Sequence, residues 1–284
     1  MAGKVLALAS PRVRAVPNLP RVSLLTAAVI LLLFVLLAAA FPWLFAPTDP
    51  TATDYTLVLQ PPGREHPFGT DQLGRDVYTR VVHGTRASIV IGFGSTVLGL
   101  AVGAVIGLIA AFGWRGVDFA VMRIVDIGLA FPSVLLSLLV LAVLGPGALN
   151  VLTAIAISSV PGYARLIRAE AQRVRASNYV RSAIGLGVRP VRVLRTHILP
   201  NAFGPALVLA TVSAGTNIIV AAGLSFLGFG AAAPAPEWGQ ILADGRSVLA
   251  GSWWMSMFPG VAITLVVIAI TVLGSAVERK SAGR

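Results

Sequence analysis

Apolar residues in this chain do not alternate, nor do they recur every third or fourth position; they run. Six apolar stretches, at positions 22–43, 87–112, 119–144, 149–164, 202–224 and 256–277, are separated by segments rich in Pro, Gly, Asp and Arg. A helix crossing the hydrocarbon core of a bilayer needs about 20 apolar residues, and inside lipid a helix satisfies its own backbone. Five of the stretches meet that length. The fourth is shorter, interrupted by Pro161 and followed by Arg165, with Tyr163, Arg165 and Arg168 placed to snorkel to the interface. The pattern predicts an all-α integral membrane protein with six transmembrane helices.

Composition agrees. Of 284 residues 56% are hydrophobic and 12% charged, with a mean hydropathy of +0.86, whereas soluble domains are roughly 25% charged. A soluble enzyme, a disordered chain and a fibrous repeat are excluded. The absence of Cys removes disulfides, thiolate metal sites and cysteine nucleophiles. His66, His83 and His197 are widely separated, so no metal or cofactor is expected on this chain. The first stretch, preceded by Lys4, Arg12, Arg14 and Arg21 and holding Ala38-Ala39-Ala40, has features of a signal peptide, but its apolar core is longer than the usual 7–15 residues.

The net charge of +11 suggests nucleic acid until it is sorted by side. Six spans put both termini on one face. With that face cytoplasmic, 17 basic residues lie inside and five outside, the five being Arg64, Arg75, Arg80, Arg86 and Arg246. Four acidic residues lie inside and seven outside, so the inner face carries +13 and the outer face −2. This matches the positive-inside rule and predicts N-in, C-in topology. The charge is a topology signal, and no nucleic-acid partner is expected.

The spans divide the chain into a cytoplasmic tail at 1–21, a transmembrane domain at 22–277 and a second tail at 278–284. Extracytoplasmic loops are expected at 44–86 and 225–255, and a cytoplasmic segment at 165–201. No internal repeat is evident, so an inverted-repeat carrier gains no support. The cytoplasmic segment is the most informative. A helical run carrying Arg165, Arg168, Glu170, Arg173 and Arg175 continues the fourth span. Ser177 and Asn178 then offer N-cap chemistry for a short helix reaching about Leu186. Gly187 suits the position after a helix end, where the chain turns left-handed. Pro190 can start another turn, and Leu199-Pro200-Asn201 should end it before the fifth span.

Those residues carry a resemblance. Asn178-Tyr179-Val180-Arg181-Ser182-Ala183-Ile184-Gly185-Leu186-Gly187, followed by nine residues and His197-Ile198-Leu199-Pro200, resembles the "EAA" motif of ABC importer permeases. That motif reads E-A-A, three residues, Gly, nine residues, I-x-L-P. Ala183, Gly187, Leu199 and Pro200 match; Arg181 stands in place of the Glu, Ser182 of the first Ala and His197 of the Ile. The stretches 66–76, 145–147, 163–165, 197–201 and 223–228 resemble the second, "C-type" permease of the dipeptide/oligopeptide/nickel family. Similarity covers roughly Phe68 to Glu278.

The resemblance implies a type I ABC importer permease fold in a bacterial cell membrane. It further implies a second homologous permease subunit, two ATP-binding subunits and an extracytoplasmic substrate-binding protein. ATP and Mg2+ would belong to the ATPases. No G-x-x-x-x-G-K-[ST] phosphate loop is present in this sequence. Asn178, Tyr179, Arg181, Ser182, Ala183, Gly187 and Pro200 would form the helix that couples the chain to an ATPase. The cargo implied is di- or oligopeptides, with nickel, haem or glutathione as alternatives. A stand-alone secondary carrier and a membrane hydrolase are the competing classes, and no G-x-S-x-G or H-E-x-x-H motif supports the latter.

Other residues attract attention on physical grounds. Arg123 and Asp126 are charges within the third stretch, readable as an i, i+3 ion pair or as a gate or subunit contact. Gly99, Gly103 and Gly107, spaced by four, suit close helix packing. Thr211, Ser213, Thr216 and Asn217 either line the path or bond a neighbouring helix. Glu237, Trp238, Asp244 and Arg246 belong to the outer loop expected to dock a binding protein, where Trp residues are read mainly as interfacial anchors. The 66–76 signature is read as fixing the lead-in to the second span.

Overall fold

The computed structural model describes residues 21–282. Lys4, Arg12, Arg14 and Arg284, with most of the N-terminal tail and the signal-peptide reading, lie outside the described residues. The described chain is helical, its one bridge of extended backbone joining Thr70 to Asp76.

Helix α1 (Arg21–Ala40) gives way to a 3-10 turn at Pro42–Leu44, where a proline cannot continue the hydrogen-bond ladder. Helix α2 (Val77–Phe112) begins ten residues before the apolar stretch it carries. The loop expected to run from 44 to 86 therefore ends at Asp76. Asp76 Oδ2 accepts the backbone N–H of Thr79 at 2.7 Å, capping α2, and the polar residues after it complete its first turns.

The third stretch is not one helix. It divides into α3 (Arg115–Ala130) and α4 (Ser133–Leu144), bent by 98°. Pro132 disfavours a helical Phe131, which is extended at φ −91°, ψ 137°. Helix α5 (Ala148–Arg175) does run through its proline and past the apolar boundary. The Pro161 ring lies over Gly128 of α3, where a Cβ would stand 2.7 Å from Pro161 Cγ.

Helices α6 (Asn178–Gly185) and α7 (Pro190–Val193) follow. The expected stop at Leu199-Pro200-Asn201 is absent. A wide π-helical turn at Leu194–Ile198 leads directly into α8 (Leu199–Leu224), with Pro200 in its first turn, where a missing N–H costs little. A second wide turn, Ser225–Phe229, breaks at Gly228 with φ 93°. The connection that follows holds α9 (Trp238–Gly245), and α10 (Trp254–Ala282) closes the described chain.

Three helical runs are each long and apolar enough to span a bilayer: Val77–Phe112, Val191–Phe229 and Trp254–Arg279. The α3–α4 pair qualifies together as a broken span, and Leu24–Ala40 is a shorter apolar helix. Helix α2 is the centre of the assembly and packs along α5 and α8, while α10 packs on α8 and α1. The glycine stripe faces α5. A Cβ on Gly103 would meet Tyr163 Cβ at 2.6 Å, and one on Gly107 would meet the Ala164 carbonyl oxygen at 2.5 Å. Close approach without a hydrophobic driving force relies on such contacts in lipid.

Candidate functional site

The surface where α5 meets the start of the α8 run is built around α6. Val180 is fully buried and joins Ala171, Val174, Val193 and Ile198 in a small apolar cluster that ties α5, α6 and the start of the α8 run together. The rest of α6 faces outward: Asn178, Tyr179, Arg181, Ser182 and Gly187 are exposed and Ala183 is half-buried. Ile184 and Leu186, 54% and 84% exposed, add an apolar surface not singled out in the sequence.

The end of α6 is defined by backbone chemistry. Gly187 has φ +78°; its N–H reaches Ile184 O at 3.0 Å, while the N–H of Val188 reaches Ala183 O at 3.1 Å. That pair is the double bond of a Schellman cap, which needs a left-handed residue. At the other end, Ser177 holds the N-cap position but its hydroxyl does not cap. It donates to Val174 O of α5 at 2.6 Å, bracing the bend instead. Tyr179 meets the His197 ring edge-on at 5.9 Å, a second tie between α6 and the α8 run.

Arg123 and Asp126 do not pair with each other. Asp126 is bound by Arg165 of α5, and Asp118 takes both an Nε and an Nη contact from Arg168 of the same helix. Arg123 makes no ion pair among the described residues and lines a shallow hollow with Arg115, Asp118 and Asp126. The two carboxylates on α3 thus select partners across the helix contact.

Between α3–α4, α5 and α8 lies a cavity of about 220 Å³ lined by Ser133, Ser158, Ser159, Tyr163, Ser213, Thr216 and Asn217, with Leu129, Ile155, Leu209 and Val220. It holds no charged side chain. Asn217 also donates to Thr96 Oγ1 of α2 at 2.9 Å, so it serves both the cavity and helix packing. Thr211 does not line it. Its hydroxyl returns to Leu207 O, and its methyl faces the α10 glycine Gly274. Tyr163, expected to snorkel to the interface, is instead 2% exposed and lines this cavity; the Ser133–Ser158–Ser159 group carries no sequence signal, because hydroxyls alone mark no face of a helix. Ser137 bridges α4 and α5 through Ser158 at 3.0 Å.

On the opposite face, two of the four expected docking residues are buried. Trp238 is 2% exposed; its indole N–H donates to Val81 O at 2.9 Å and its backbone N–H to Ser88 Oγ at 3.1 Å. Trp254 is likewise turned inward, donating to Thr70 O at 3.1 Å, while Trp253 is exposed. Buried indoles with partners are core residues, not interfacial anchors. Glu237 is 1% exposed and receives the Ala231 N–H at 3.3 Å; burial pushes its carboxyl above the usual carboxylate range. Asp244 and Arg246 remain accessible in part, with Arg246 lying over the Phe226 ring at 5.4 Å.

Asp244 also closes a buried ionic cluster. Arg80, 2% exposed, contacts Asp244 at 3.3 Å and Asp71 at 3.6 Å, and Arg75 Nε binds Asp71 at 2.6 Å. Asp71 accepts from the Leu73 and Arg75 backbones, and His66 Nδ1 meets Asp76 at 3.0 Å. Gly74, at φ +70°, lies so close to Asp54 that a Cβ would stand 1.7 Å from its carbonyl oxygen. The 66–76 segment is thus a scaffold that joins the start of α2 to α9.

An all-helical chain with long apolar helices, an exposed short helix at one end and a chargeless polar cavity between its helices has the build of a membrane transport subunit. The chain belongs to the family of binding-protein-dependent transport system inner membrane components, whose pattern matches residues 103–282. It is 42% identical over 250 residues to the dipeptide transport system permease protein DppC of Alkalihalophilus pseudofirmus, covering 87% of this chain and 81% of that one. It is 41% identical over 250 residues to the di/tripeptide transport system permease protein DppC of Pseudomonas aeruginosa, covering 86% and 82%. An inward-facing structure of the MetNI methionine ABC transporter superposes with a TM-score of 0.58 at 18% identity, over 71% of this chain and 96% of that one. At that identity the match concerns the fold, which is that of an ABC transporter permease.

Proposed function

We propose that this chain is a permease subunit of an ATP-driven importer of di- and oligopeptides. It would cross the bacterial cell membrane six times with both termini inside, pair with a second homologous permease, and work with two ATPases and an extracytoplasmic binding protein. The observation that carries this reading is the α6 surface. A short helix with an exposed Tyr179–Ile184–Leu186 patch is capped at Gly187 and clamped to the α8 run through Val180 and Tyr179. A rigid, partly apolar knob of this kind suits a groove on a motor subunit, whose movement it would pass to the spans.

ATP and Mg2+ belong to those ATPases, which supply the free energy of the cycle. This chain supplies the lever and half of the path. The cavity lined by Tyr163, Ser213 and Asn217 offers donors and acceptors without charge, which suits peptides of varied sequence whose shared feature is the amide backbone. Relatives named glutathione transport system permease protein GsiD, from Pectobacterium atrosepticum and Escherichia coli, are 40% and 39% identical. They favour glutathione, itself a small peptide, as the second reading.

The test is purification of the tagged chain from its native membrane, together with uptake of labelled dipeptide, glutathione and nickel in a deletion strain. Recovery of an ATPase and a second permease, with loss of dipeptide uptake in the deletion, is expected. Isolation of the chain alone, or unchanged peptide uptake, contradicts the reading.

A further inference from the structure

The inner face holds a pocket that the coupling role does not use. It measures about 470 Å³, and Arg115 of α3, Arg175 of α5 and Arg181 of α6 converge on it, with Gln172 beside them. Its lining contains one acidic residue, Asp118, whose two oxygens are already taken by Arg168. The side chains of Arg115 and Arg181 make no hydrogen bond or ion pair among the described residues. Arg175 is steadied by a 3.4 Å contact to Ala111 O and by the Phe112 ring, leaving the rest of its guanidinium open. Three guanidinium groups from three elements therefore face one pocket whose single carboxylate, Asp118, is already paired with Arg168.

The depth of the pocket is marked by aromatics. Trp114, 77% exposed, immediately precedes Arg115, and Phe119, 71% exposed, lies one turn on. Exposed Trp beside a span concentrates at headgroup level. Helix α3 starts there with no side chain capping its first N–H groups, which adds partial positive charge to the same wall. Basic pockets between spans on the cytoplasmic side accept anionic headgroups. Guanidinium forks match phosphate oxygens in pairs.

We propose that this pocket binds the phosphodiester headgroup of an anionic phospholipid of the inner leaflet, linking α3, α5 and α6 through lipid. The proposal rests on the inward placement of α6 given above. It also gives Arg181, which replaces the acidic residue of the motif, a partner that a glutamate would repel.

The test uses the purified complex containing this chain in nanodiscs of phosphatidylcholine alone or mixed with phosphatidylglycerol, with retained lipid read by native mass spectrometry. Wild type is expected to retain phosphatidylglycerol over phosphatidylcholine. Arg115→Gln and Arg181→Gln should each weaken retention about fivefold. Arg181→Lys should restore most of it, and Arg173→Gln, at an arginine paired with Glu170 outside the pocket, should leave it unchanged. Equal retention in wild type and in a variant combining Arg115→Gln with Arg181→Gln overturns the proposal. So does displacement of the lipid by millimolar inorganic phosphate, which would make this a free-phosphate site. Loss of the ATPase from the Arg181→Gln complex in both lipid mixtures also overturns it, because the arginine would then contact protein. A complex that retains phosphatidylglycerol but imports no peptide contradicts the transport reading and leaves the lipid pocket standing.

Discussion

Gly107 of α2 faces the carbonyl oxygen of Ala164 in α5 so closely that a Cβ would sit 2.5 Å from it. The obstacle is backbone, which has no rotamer to move aside. Gly107→Val should separate α2 from α5 at a cost of about 1–3 kcal/mol, the usual range for overpacking. Gly204, with nothing within 4 Å of its Cβ position, should tolerate Ala without loss. Thermal unfolding of the detergent-solubilised complex compares the two.

Gly187→Val forces a β-branched side chain into a backbone at φ +78° and should disturb the cap rather than the whole fold. A left-handed conformation costs an ordinary residue roughly 1–2 kcal/mol. The expected result is ATP hydrolysis that continues with fewer peptides moved per ATP. Gly187→Asn, which tolerates the left-handed region, should lie between the variant and wild type. Wild-type stoichiometry in the Val variant would remove α6 from the coupling role.

The Asp126–Arg165 pair is about half exposed at both ends, so its contribution to stability should be at most about 1 kcal/mol. Asp126→Asn or Arg165→Gln should shift stability slightly, and a double-mutant cycle should return a coupling energy within that bound. The exchange Asp126→Arg with Arg165→Asp should keep most of it.

Asp71 neutralised to Asn leaves buried Arg80, whose Nη1 already lacks a hydrogen-bond partner among the described residues, short of a counter-charge. Removing one partner of a buried ion pair costs about 3–5 kcal/mol. Loosening of α9 should show as faster amide exchange at Trp238–Gly245 than in α2.

Glu237 gives a pH dependence. Its folded-state carboxyl titrates above the ordinary value because of burial, so the native state holds the proton more tightly than the unfolded chain. Its contribution is complete below the ordinary carboxylate value and is lost as pH rises through the raised one. Glu237→Gln should flatten that fall. An unchanged slope in the variant would show that another group sets it.

The all-helical, membrane-spanning character could be read from the chain because bilayer thickness imposes run length, and the Gly99–Gly103–Gly107 stripe announces a close contact without naming its partner. The break at Phe131–Pro132 was hidden because apolar residues flank it on both sides, Leu129 and Ala130 before it and Val134 and Leu135 after, so no charge marks a 98° bend. The same logic misplaced the start of α2, whose first turns are polar because they pack on α9 and the 66–76 scaffold. Gly187 could be placed because its role is local. Glu237, Trp238 and Thr211 could not, since their surroundings are set by segments far away in sequence: Val81 and Ser88 for the tryptophan, Gly274 for the threonine. Arg123 and Asp126 were adjacent on paper, and only the crossing of α3 over α5 gave Asp126 a different partner.

The helical run from Val191 to Phe229 has a mechanical consequence. At 1.5 Å per residue its 39 residues extend about 58 Å, more than the full thickness of a membrane with its headgroups. The first residue to leave helical backbone on this rod is Gly228, at φ 93°. On the coupling role proposed for α6, a push there would travel along one continuous rod and meet that break near Glu237, so the two ends of the protein would share one moving part.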